Sequence, residues 1–121
     1  SRVQKWVETN RITHMDCDDH ASYWISVILK SDLAKEVYLG TFQFILDGKI
    51  QGHALVIFKD VENHWWCADY KYPVKLDDKW DFAWKSAESF NSTPIVATTF
   101  RVNKITKNDT PILGKVQAKV F

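Results

Sequence analysis

The chain predicts an α+β fold, in which an N-terminal helix carrying Cys17 packs on an antiparallel sheet that has a helical insertion. Three observations carry this expectation. Cys17, Ala21, Trp24 and Ile28 recur at spacings of four, three and four, the stripe of an amphipathic helix. Two β-rich segments, 37–46 and 53–59, flank the turn signal Asp47-Gly48, and a third, 64–70, follows Asp60-Val61-Glu62-Asn63. Trp80, Ala83, Trp84 and Ala87 then return to helical spacing. The 121 residues form one domain, 1–121, and 45% hydrophobic content suffices for a packed core.

Taken in order, Val3, Trp6 and Val7 suit a short helix over 2–9, which Thr9-Asn10-Arg11 breaks. Asp16 is a good N-cap for the next helix, and Asp18 and Asp19 put negative charge in its first turn, where the helix dipole favours it. That helix ends near Lys30-Ser31-Asp32. The three strand segments follow, and Pro73 interrupts them. Asp77 or Asp78 is placed to cap the Trp80–Ala87 helix. Residues 94–102 read as another strand and 116–121 as a last one.

Sixteen basic residues against fifteen acidic ones leave no concentrated positive surface, which argues against nucleic acid as a partner. No apolar run is long enough for a membrane span. Two cysteines do not make a disulfide framework, and a Cys17–Cys67 bridge would consume the residue best placed as a nucleophile. Neither the compartment nor the oligomeric state follows from these numbers.

Cys17, His53 and Asp69 stand out as a catalytic constellation. Cys17 opens a helix, where partial positive charge lowers a thiol pKa. His53 opens the strand Gly52-His53-Ala54-Leu55-Val56, and Asp69 closes Trp65-Trp66-Cys67-Ala68-Asp69. Pairing Lys59 with Asn63 around a three-residue loop puts Ile57 opposite Trp65, Leu55 opposite Cys67 and His53 opposite Asp69. Opposed residues have Cβ atoms about 4.5–5.5 Å apart and share a face, within reach of a His–Asp hydrogen bond. That face also carries Leu55, Ile57, Trp65 and Cys67, and its apolar character predicts packing on the Cys17 helix. A cysteine thiolate, an imidazole that exchanges its proton and a carboxylate that orients the imidazole make a nucleophilic triad.

Asp16-Cys17-Asp18-Asp19-His20-Ala21, Gly52-His53-Ala54 and Trp66-Cys67-Ala68-Asp69 resemble motifs of the transglutaminase-like cysteine hydrolase superfamily, especially its bacterial cysteine proteinase group. The resemblance covers about residues 13–70. It implies a papain-like, transglutaminase-like core and attack of Cys17 on an amide of a protein or peptide substrate. His53 would shuttle the proton and Asp69 would orient it, with the acyl group passing to water or to an amine. It also implies an oxyanion hole from the Cys17 backbone N–H and an upstream donor, for which Asn10 is the candidate. No cofactor is required by that chemistry. Some members of the group bind calcium through acidic residues flanking the cysteine, and Asp16 and Asp18 match those positions.

Other readings use the same residues. Asp16, Asp18 and Asp19 form a solvated helix start if no cation binds. His14, Cys17 and His20 have permissive spacing for zinc, but no fourth ligand is evident. A papain-like cell-wall endopeptidase would also order Cys before His, with a different third residue. A non-catalytic binding module would use Trp65, Trp66, Trp80 and Trp84 as a stacking platform. Trp66, expected to point outward, is its best ligand contact and the candidate substrate-binding residue.

Overall fold

A computed structural model describes residues 17–69, 73–108 and 110–121, with the side chains of residues 17–20 outside that description. Helix α1 (Cys17–Lys30) leads into strands β1 (Ala34–Leu46), β2 (Lys49–Asp60), β3 (Trp65–Ala68) and β4 (Val74–Leu76). Helix α2 (Asp81–Glu88) then precedes β5 (Pro94–Ile105) and β6 (Pro111–Val120). All six strands form one antiparallel sheet in the order β4-β3-β2-β1-β5-β6. The meander β1 to β4 runs to one edge, and α2 carries the chain back so that β5 lies beside β1. This small β-rich domain corrects the expected α+β papain-like core. Segment 94–121, expected as one strand and a short last one, forms two long strands of 12 and 10 residues, while among the described residues the helices are two short elements.

Local chemistry explains the boundaries. Ser31 N–H bonds back to the Ile28 carbonyl at 3.2 Å, and Asp32, in the left-handed region at φ 58°, ends α1. Asp47 and Gly48 both have positive φ, at 53° and 74°, and join Leu46 to Lys49 in a two-residue hairpin turn. At the start of α2, Asp78 accepts from the Trp80 N–H at 3.1 Å while Asp81 accepts from the Asp78 N–H at 2.9 Å. The buried face of α2 is Phe82, Ala83, Ser86 and Ala87. The expected Trp80–Trp84 face is therefore rotated: Trp84 is 44% exposed, and its ring meets Phe121 edge-on at 5.7 Å.

Each face of the sheet is covered by a helix. Phe42, Phe44, Leu55, Ile57, Cys67 and Ala97 pack with Phe82, Ala83 and Ala87 of α2. Val37, Val56, Phe58, Ala68 and Val102 pack with Trp24, Ile25 and Ile28 of α1. This reverses one expectation, since the Leu55–Ile57–Cys67 face lies against α2 and not against the Cys17 helix. The physical reason is visible in β2, where every residue from His53 to Phe58 is buried. A strand covered on both sides reads as a continuous apolar run, without the alternation that marks one wet face. At Gly40 the sheet and α2 come so close that an added Cβ would meet Ile57 Cδ1 and come within 3.1 Å of Phe82.

The β2–β3 register is also corrected. Lys59 faces Trp65, Phe58 faces Trp66, Ile57 faces Cys67 and Val56 faces Ala68, a slip of two residues from the expected pairing. The loop does hold three residues, but its frame is Asp60 and His64, whose backbones pair at 2.9 Å. Asn63 takes the left-handed position at φ 70°, and Asp60 Oδ1 accepts from the backbone N–H groups of Glu62 and His64, both at 2.9 Å.

Candidate catalytic site

His53 and Asp69 meet because a slip of two residues, unlike a slip of one, preserves the face to which each side chain points. Ala68 pairs with Val56, so Asp69 leaves β3 diagonally displaced from His53 on the same face. Such diagonal neighbours lie about 7–8 Å apart at the backbone, which an aspartate and a histidine together can span. His53 Nε2 lies 2.7 Å from Asp69 Oδ2. With Asp69 a carboxylate, the proton of this bond belongs on Nε2, which donates it.

The surroundings restrict the imidazole. His53 is 6% exposed. The rings of Phe42 and Phe90 stand edge-on to it, with centroids at 5.7 and 5.5 Å. Phe90 in turn stacks on Phe44 at 4.7 Å. Asp69 Oδ1 is buried and has no hydrogen-bond partner.

Asp69 is also tied to the cysteine helix. Its backbone carbonyl accepts from Trp24 Nε1 at 2.8 Å. Trp24 lies seven residues along α1 from Cys17, a rise of about 10 Å. Cys17 is the first residue of α1, and its Sγ lies outside the described atoms. The sequence marks Trp24 only as a core position and does not mark Phe42 or Phe90 as walls of the site. The helical stripe was the signal for Trp24, but nothing in the spacing points its N–H at residue 69.

Cys67 is a free, buried thiol. Burial, and then the charge of Asp69, push it up to about 12, against a smaller opposing effect of Lys85. It is therefore a poor nucleophile at neutral pH. Trp66, expected to face solvent, is half-buried against the α1 side. Its ring stacks on Phe58 at 6.3 Å with an interplanar angle of 8°, and Nε1 donates to Asp60 Oδ2 at 2.9 Å. Trp65 packs in the α2 core beside Tyr38.

Asn10, His14 and Asp16 fall outside the described residues, as do the side chains of Asp18 and His20. Among the described residues no group of three His, Cys, Asp or Glu side chains is arranged to hold a metal ion. No described helix is long and apolar enough to cross a membrane. No protein-family model and no curated protein matches the chain.

Proposed function

We propose that this protein is a cysteine-dependent hydrolase or acyltransferase acting on amide bonds of a protein or peptide, with Cys17 as nucleophile, His53 as proton carrier and Asp69 as its orienting group. The observation that supports this most is the buried His53–Asp69 hydrogen bond of 2.7 Å, which holds the imidazole in one orientation. The Trp24–Asp69 bond adds to it by holding the helix that begins at Cys17 against the same aspartate.

Cys17 must reach His53 from the opposite face of the sheet. β3 pairs with β2 only from Val56 to Lys59, so among the described residues β2 has no strand neighbour on that side beside His53. A Cβ added at the adjacent Gly52 would meet nothing within 4 Å. The start of α1 would come round this end of β3, where Asp69 turns away and Trp24 is bonded to it.

In the proposed reaction the Cys17 thiolate attacks the amide carbon, and the carbonyl pair moves onto oxygen. Collapse of the oxyanion breaks the C–N bond as His53 protonates the departing amine. The thioester then passes its acyl group to water or to an amine. His53 takes a proton from that acceptor, and the C–S bond breaks. Asp69 orients the ring throughout and stabilises the imidazolium whenever His53 carries the extra proton. The oxyanion donors would be the Cys17 backbone N–H and a group upstream.

Between the two cysteine-enzyme readings, the aspartate bonded to His53 favours this triad over an endopeptidase whose third residue lies elsewhere. The stacking platform is disfavoured at Trp66 because that indole is already engaged by Phe58 and Asp60. An activated ester, p-nitrophenyl acetate, tests the reading. The expected result is a burst of about one equivalent of nitrophenol per chain, lost in Cys17→Ser. A burst-free trace unchanged by that substitution contradicts it.

A further inference from the structure

Lys79 is the one buried lysine among the described residues, at 8% exposure, and its ammonium is surrounded by aromatic faces. Nζ lies 4.3 Å from the ring centre of Tyr38, 5.0 Å from that of Trp80 and 6.0 Å from that of Trp65. It donates to Gln117 Oε1. Glu36 sits close enough to favour the charge, and is itself held by Arg101 at 2.7 Å and by the Tyr38 hydroxyl at 3.0 Å. Three ring faces, one neutral acceptor and a carboxylate behind them make up the chemistry that recognises an alkylammonium ion.

Three of the four walls, Tyr38, Trp65 and Gln117, do not depend on Lys79 for their placement. Tyr38 is fixed by ladder pairing to Ile57 and Arg101, Trp65 by pairing to Lys59 and Leu76, and Gln117 by pairing to Thr99. Lys79 itself lies in the turn before α2, outside helix and strand. Gln117 is exposed on β6, an edge of the sheet, so the box borders solvent on that side. Burial holds the Lys79 ammonium below the usual lysine range, with Glu36 and then Asp78 pulling the other way.

We propose that this box is a binding site for a primary alkylammonium group, such as a lysine side chain of another protein, and that Lys79 is its built-in occupant. An incoming ammonium takes the place of the Lys79 Nζ on Tyr38, Trp65, Trp80 and Gln117. The site is separate from His53, whose strand neighbour Phe42 lies four residues along β1 from Tyr38, about 13 Å away.

The test is titration of Lys79→Ala with n-butylammonium at constant ionic strength, read by tryptophan fluorescence, with n-butanol as the uncharged control. The expected result is a saturable change with the ammonium and none with the alcohol, at an affinity about tenfold or more above that of the unsubstituted chain. If the variant is unfolded alone, the proposal requires that n-butylammonium, and not n-butanol, restore its far-UV circular dichroism. A folded variant with no ammonium-selective change, or an unfolded one that the ammonium does not restore, overturns the proposal.

Discussion

Trp24 donates its indole N–H to the backbone carbonyl of Asp69, 45 residues away in the chain, at 2.8 Å. The aspartate that holds His53 is thus held in turn by the helix that starts at Cys17. Trp24→Phe keeps most of the buried ring and removes this one donor. We expect a loss of roughly 1–3 kcal/mol in unfolding free energy, since the carbonyl is left unpaired. Ester turnover should fall by more than the lost folded fraction explains. Denaturant melts and kcat on the same preparation check this, and an undiminished kcat in the folded variant would dissociate the helix from the site.

Asp69→Asn preserves shape but removes the carboxylate that faces the imidazole. The fold should persist, because the Trp24 bond uses the backbone of residue 69 and not its side chain. Activity should fall by about a hundredfold or more, chiefly in kcat, as expected when the wrong imidazole tautomer is favoured. Full activity with an intact circular dichroism spectrum would remove Asp69 from the catalytic assignment.

Gly40→Ala tests the close contact of the sheet with α2. The new methyl meets Ile57 Cδ1 and Phe82, both in a filled core. The expected cost is about 1–3 kcal/mol, read as a lower denaturant midpoint with an unchanged m-value.

Cys67 gives a pH signature. Its folded-state pKa is raised to about 12 from an ordinary 9.0. The folded chain therefore keeps this proton where the unfolded chain has lost it. Stability from this group is fully present below pH 9.0 and is lost as pH rises towards about 12. Cys67→Ala should flatten that part of the alkaline stability curve. Wild-type Cys67 should label with iodoacetamide only in denaturant, and rapid labelling in the folded chain at neutral pH would contradict its burial.

What could be read from the residues divides along physical lines. The α1 stripe and the Asp47-Gly48 turn were visible because each depends on neighbours in sequence. The meeting of His53 with Asp69 is compatible with either register, because the two differ by an even number of residues and each side chain keeps its face. The frame of the Asp60–His64 loop depends on the Asp60 side chain and the left-handed Asn63, which a count of loop residues does not weigh. The side of the sheet taken by α1 is not legible for a different reason. Ala54 to Phe58 is apolar on both faces, so the run carries no preference for one helix over the other. The β-rich architecture depends on strands β5 and β6 pairing with β1 and with each other, contacts that local patterns do not encode.

The most direct test of the central claim is the pH dependence of Cys17 alkylation by iodoacetamide, compared between the native chain and His53→Ala. Cys67 is buried and held protonated, so labelling of the folded chain should report Cys17. The account predicts rapid labelling that persists below neutral pH and is lost in His53→Ala, the mark of a thiolate–imidazolium pair. Slow labelling with an ordinary thiol profile, the same in both proteins, would contradict it.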